Sequence, residues 1–141
     1  MRPECSDAPI TVLIIDGYEA DRRLAAEQLT HSSSRYRLLE APTGKTGLAM
    51  YRAQRVDCVL TELTLPDMSG FQVLYSLIPP SRRPDIAVIM LTRLTDCPFR
   101  EVVLSSGVQA YFLKSSIDGN TLHKAIIDAL AALASNRPQP L

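Results

Sequence analysis

The stretch DCVLTELTLPDMSG, residues 57–70, carries an apolar run (58–61), an acid directly after it at Glu62, a turn around Pro66, and Ser69 placed to cap a helix. A short, continuous apolar run is what a strand buried on both faces looks like, and parallel strands are buried that way. Four more runs of this kind stand at 11–15, 36–39, 86–91 and 110–113. Between and after them, apolar residues recur at helical spacing over 20–30, 43–54, 69–77, 98–106 and 118–135. Ser69 and Asp118 suit N-caps, Pro98 a first helical turn and Gly107 a helix stop. The last helix is the longest, with Leu122, Ile126, Ala129, Leu130 and Leu133 on one stripe.

One helix per strand, five times over, predicts a doubly wound α/β sandwich of flavodoxin-like type. The expected sheet is parallel, five-stranded and ordered 2-1-3-4-5, with helices on both faces. A domain over 10–135 is expected, with polar, proline-containing tails at 1–9 and 136–141. Fifteen basic residues balance fifteen acidic ones, which argues against direct nucleic-acid binding. No apolar run approaches the roughly 20 residues of a membrane span and none resembles a signal peptide, so a cytoplasmic location is expected. Cys5, Cys58 and Cys97 lack metal-type spacing; Cys58 reads as a buried, reduced thiol, and neither disulfide nor zinc is expected.

In such sheets the functional crevice lies at the carboxyl ends of the strands. The residues arriving there are Asp16 after the first strand, Glu62 after the third, Thr92 after the fourth and Lys114 after the fifth. Two carboxylates, a hydroxyl and an ammonium around one crevice suit the handling of a phosphoryl group with a divalent cation.

Four ordered segments, VLIIDGYEADRRL (12–24), DCVLTELTLPDMSG (57–70), VIMLTR (88–93) and GVQAYFLKSS (107–116), resemble the receiver domains of response regulators in two-component signalling. The resemblance runs from Thr11 to about Leu133. It implies that Asp16 is an acid of the metal site, Thr92 the hydroxyl that bonds the phosphoryl group, Lys114 the cation paired with it, and Tyr111 a switch aromatic. Magnesium would be held by Asp16, the side chain at 62 and the backbone carbonyl of Thr64.

Two positions depart from the family pattern. Glu62 stands where the family has its phosphoacceptor aspartate, and Gly17 where it usually has a second loop acid. Magnesium binding is therefore possible but weakened. Glu19 and Asp21 lie nearby, at the entry to the first helix, and are read first as complements to its dipole, with either of them open as a substitute for the missing acid. Glu62 reaches about 1.5 Å further than aspartate, and a displacement of about 1 Å costs on the order of 100-fold in a reaction that needs near-attack placement. Its carboxylate is expected to sit where a phosphoryl oxygen would, bonded to Lys114 and Thr92. Arg93, where the family mostly has a small residue, is placed to shield the pocket or reach Glu62. Ser115 replaces the family's usual proline. His31 and His123 are isolated and read as helix-end residues.

These residues favour an atypical receiver acting by protein–protein interaction without conventional aspartate phosphorylation, and not an enzyme. Two other readings of Glu62 stay open: an inert ion pair with Lys114, and a competent phosphoacceptor charged by a histidine kinase with magnesium. A small-ligand module of the same architecture is disfavoured, because no Gly- or Ser/Thr-rich phosphate loop follows the first strand. Expected partners are a histidine kinase or another signalling protein. A homodimer through the face of the fourth predicted helix, fifth strand and fifth helix is also open, with Ile127, Ala131 and Ala134 as apolar surface.

Overall fold

A computed structural model describes residues 8–78, 86–94, 101 and 107–136. Strand β1 (Ile10–Ile15) leads to helix α1 (Glu19–Ser32), β2 (Tyr36–Ala41), α2 (Gly44–Ala53), β3 (Cys58–Thr61) and α3 (Gly70–Leu77). Then come β4 (Ala87–Thr92), β5 (Ala110–Leu113), a 3-10 turn (Lys114–Ser116) and α4 (Gly119–Asn136). The helix expected over 98–106 lies outside the described residues except at Glu101, which is helical, and most of both tails lie outside them too. All four strand pairings are parallel and the sheet order is β2-β1-β3-β4-β5. Strand β4 runs one residue further than the sequence pattern suggested and takes in Thr92; β2 runs two further, to Ala41.

Strand alternation builds the core as two layers. Leu13, Ile15, Val59, Val88 and Met90 face one way and pack with Leu48 of α2 and Val73, Leu74 and Leu77 of α3. Val12, Ile14, Cys58, Leu60, Ala87, Ile89 and Leu91 face the other, against Ala25 and Leu29 of α1 and Leu122, Ile126, Ala129 and Leu133 of α4. The three central strands are buried at every position, while the edge strands β2 and β5 are mostly half-buried. Cys58 is the free, buried thiol expected.

The helix starts are set locally. Ser69 and Gln72 form a complete capping box at α3, and Thr43 accepts from the Thr46 N–H at α2. Asp118 accepts from the Thr121 N–H at 2.8 Å as α4 begins. Gly107 takes a φ of 110° just before β5. His123 is not a helix-end residue: its Nδ1 lies 2.7 Å from the Tyr36 hydroxyl, tying α4 to the edge strand β2.

Candidate functional site: a carboxylate and lysine crevice at the strand ends

The sheet order places β1, β3 and β4 side by side, so the residues leaving them converge. Glu62 continues the β1–β3 ladder, donating its backbone N–H to the Ile15 carbonyl at 3.0 Å, and Asp16 donates its own to Ala41 at 3.0 Å. Both carboxylates therefore rise from rigid strand ends. Glu62 ranks with the largest fully buried side chains, and the others in that group are apolar. A buried carboxylate needs compensating donors, and here it has four. Oε1 meets the Lys114 ammonium at 2.9 Å and accepts from the Arg93 backbone N–H at 3.2 Å. Oε2 accepts from the backbone N–H groups of Leu63 at 2.6 Å and Thr64 at 3.2 Å.

Lys114 opens the 3-10 turn after β5, and its side chain is 14% exposed. Besides Glu62 it meets Asp16 Oδ2 at 2.5 Å and Asp21 Oδ2 at 3.0 Å. Asp16 spends its other oxygen on the Tyr18 N–H at 2.9 Å. Burial alone would lower the Lys114 pKa, but its hydrogen bonds to Asp16, Glu62 and Asp21 outweigh that and hold it above an ordinary lysine. Burial pushes Asp16 up in spite of its bonds to Lys114 and Tyr18. Asp21, more exposed, is pulled below the usual carboxylate range by its hydrogen bond from Arg93 first and that from Lys114 second.

Several expectations change here. The Thr92 hydroxyl makes no hydrogen bond with Glu62. Thr92 closes β4 fully buried, and its oxygen accepts from the Leu94 N–H at 3.1 Å, capping the turn that follows. Backbone N–H groups occupy the place expected of it. Arg93 reaches Glu62 through its main chain alone. Its guanidinium bonds Asp21 at 2.7 Å and stacks 3.8 Å above the centre of the Tyr18 ring, forming a roof over the crevice. Asp21 is more than a dipole complement, since it belongs to the site. Asp21 takes the part of the substitute acid weighed for Gly17, four residues further on, and Tyr18 is the functional candidate that the strand-end reading passed over.

Gly17 has a steric reason. A Cβ there would lie 2.8 Å from both Cγ and Cδ of Pro66, so no acid fits at 17 while the β3–α3 loop keeps its path. That loop is pinned by Asp67, whose two oxygens accept from the Gly44 and Lys45 N–H groups at 2.9 Å each, at the start of α2. Tyr111 points inward: its hydroxyl oxygen is covered, and its ring packs on the core layer that includes Val88 and Met90. Strand alternation sends Ala110 and Phe112 to the opposite layer.

Magnesium, the ion implied by the resemblance, does not fit the residues as they stand. The point between the carboxylates of Asp16, Asp21 and Glu62 is filled by the Lys114 nitrogen, at hydrogen-bond distances from each. Magnesium requires oxygens at about 2.0–2.1 Å in octahedral array. Among the described residues, no three acidic, histidine or cysteine side chains converge in a metal-binding geometry. Thr64 is exposed, and its N–H is spent on Glu62.

Comparison with known proteins agrees with this architecture. The family model described as the response regulator receiver domain matches residues 12–127. The probable transcriptional regulatory protein TcrX of Mycobacterium tuberculosis is 31% identical over 106 residues, covering 75% of this chain and 44% of that protein. The transcriptional regulatory protein GlrR of Escherichia coli is 30% identical over 125 residues, 89% of this chain and 27% of that protein. The chain thus spans less than half the length of these curated relatives. Among solved structures, a CheY-like receiver domain protein from Methanospirillum hungatei superposes with a TM-score of 0.77 at 24% identity, over 92% of this chain and 100% of that one. The receiver domain of the putative response regulator NarL from Mycobacterium tuberculosis gives 0.76 at 22% identity, over 88% and 98%.

Proposed function

Since the chain belongs to the response regulator receiver family of two-component systems, we propose that it is an atypical member: a cytoplasmic receiver that signals by protein–protein interaction without aspartate phosphorylation. Receivers are in general signalling modules and not enzymes. They usually bind magnesium at the acidic phosphorylation site and interact with histidine kinases and effector domains. One observation carries the proposal: both oxygens of Glu62 are already satisfied by Lys114 and three backbone N–H groups.

A phosphoacceptor needs a carboxylate oxygen free to attack and donors free to receive the charge of the transferring phosphoryl group. Here the same side chain uses up both. The extra methylene carries the Glu62 carboxylate into the donor cradle, where it stands in for an anion that would otherwise arrive by phosphotransfer. The inward Tyr111 supports this reading, whereas Thr92, turned to the Leu94 N–H, adds nothing to it. Partner docking, homodimerisation included, is assigned to the β5–α4 side, where Ala131 and Ala134 are exposed beside the half-buried Ile127.

The test is incubation of the native chain with a small-molecule phosphodonor and magnesium, read by intact mass. No adduct is expected. An adduct that disappears in Glu62→Gln overturns the proposal in favour of a competent glutamyl acceptor charged by a histidine kinase.

A further inference from the structure

We propose that the Lys114 ammonium is the resident cation of this crevice, caged by Asp16, Asp21 and Glu62, and that the native domain takes up no divalent metal there while Lys114 is in place. The inference rests on the site being that of an atypical receiver, but its support is a separate observation: three carboxylates around one nitrogen.

The nitrogen lies 2.5 Å from Asp16, 2.9 Å from Glu62 and 3.0 Å from Asp21. An ammonium has three N–H donors and no acceptor, so three carboxylates exhaust it. The acids come from three places in the chain: the end of β1, the first turn of α1 and the end of β3. None can turn away without leaving Lys114 underpaired in a largely buried position. Asp21 is also fixed from outside, because Arg93 bonds the same oxygen at 2.7 Å while stacked on Tyr18. Gly17 cannot carry the third acid, since Pro66 fills the space. Asp21 supplies it from one turn further on.

Charge balance points the same way. With Lys114 and Arg93 both in place, the three acids retain one net negative charge. A divalent ion at the same point must expel the ammonium, because two cations a few ångströms apart repel strongly in a partly desolvated site. It must also draw the acids in from hydrogen-bond to coordination distances.

The test uses Mn2+ titrated against the full chain and followed by water-proton relaxation, with Mg2+ followed by thermal shift. Native protein is compared with Lys114→Met, which keeps the unbranched stem of the side chain without the charged end atom, and with Lys114→Met combined with Asp21→Asn. Expected is no saturable Mn2+ site in the native chain, a gain of at least about tenfold in affinity for Lys114→Met, and loss of that gain in the double variant. Native protein that binds Mn2+ as tightly as Lys114→Met overturns the inference, and so does a folded Lys114→Met that gains nothing.

If Lys114→Met does not fold, amine acylation of the native chain decides, with peptide masses as the readout and exposed Lys45 as the control. Equal protection of Lys114 with and without millimolar MgCl2 supports the resident cation; faster acylation with magnesium overturns it. A phosphoryl adduct in the intact-mass test would instead strike at the Glu62 proposal, so the two failures are distinguishable.

Discussion

Lys114 holds three acids with one ammonium, so its loss should be felt more than that of any outer lysine. Lys114→Ala leaves Asp16 and Glu62 buried without their cation, and breaking a buried pair in this way costs about 3–5 kcal/mol. Lys45→Ala, on an exposed face, should change stability by no more than about 0.5 kcal/mol. Urea unfolding of the two variants checks the contrast; equal effects would mean the crevice is solvated and its ion pairs weak. Gly17→Asp, which would restore the family's second acid on paper, should destabilise the chain instead, because its Cβ meets the ring of Pro66 at 2.8 Å. A destabilisation of about 1–3 kcal/mol, typical of overpacking, is expected in the same assay. At this scale the sequence was legible where a residue's place follows from the end of a strand. Asp16, Glu62 and Lys114 were found that way, and so was the contact between the last two. The donors completing the Glu62 cradle were not, because backbone N–H groups leave no mark in the residue types. Asp21 was weighed as a substitute acid but ranked below a second plausible role, that of an acid at a helix start. Thr92 was assigned the right position and the wrong partner, because the hydrogen bond of a hydroxyl depends on a turn that strand patterns do not specify.

Elements were easier to read than their ends. Continuous apolar runs located all five strands, since burial on both faces leaves few polar options. The boundaries of β2 and β4 moved by one or two residues because parallel pairing extends as far as the neighbouring strand offers partners, through Ala41 and Thr92. Helix starts followed chemistry that the sequence displays, as with Ser69 and Asp118. The capping box at α3 predicts that Ser69→Ala costs about 1 kcal/mol. Because α3 packs directly behind the β3–α3 loop, the same change should loosen the Leu63 and Thr64 amides that hold Glu62. Amide hydrogen exchange should show faster exchange at those two positions, and unchanged exchange there would mean that the loop is held by Asp67 alone. That carboxylate lies below its ordinary range because the Lys45 and Gly44 N–H groups bond it. Its contribution is therefore full above the unfolded pKa and lost as pH falls through the depressed folded value.

For the molecule as a whole, alkaline pH should be the more revealing limb of the stability profile. Among the described residues, three groups with unfolded values between 9 and 10.5 keep their protons longer in the folded state than in the unfolded chain. The Cys58 thiol is pushed up from 9.0 by burial and then by Asp57, and Tyr36 is pushed up to about 12 by burial and then by Cys58. Lys114 is held above 10.5, its three carboxylates outweighing burial. A folded-state pKa above the unfolded one gives stability that is complete below the unfolded value and drains away as pH rises toward the folded value. Stability should thus begin to fall near pH 9, where unfolded cysteine ionises, and fall faster past 10 and 10.5 as unfolded tyrosine and lysine lose their protons. At acid pH the groups oppose one another, since Asp16 is raised while Asp21, Asp67 and Asp118 are lowered, and no comparably clean slope is expected. Tyr36→Phe separates the contributions. It removes the titrating hydroxyl and its bond to His123, which lowers stability at neutral pH, yet it should flatten the decline between pH 10 and 12. Thermal unfolding from pH 7 to 11.5 is the measurement. A native profile level to pH 11 would mean that these groups titrate freely in the folded chain, and parallel slopes for native protein and Tyr36→Phe would remove Tyr36 from the account while leaving Cys58 and Lys114 in it.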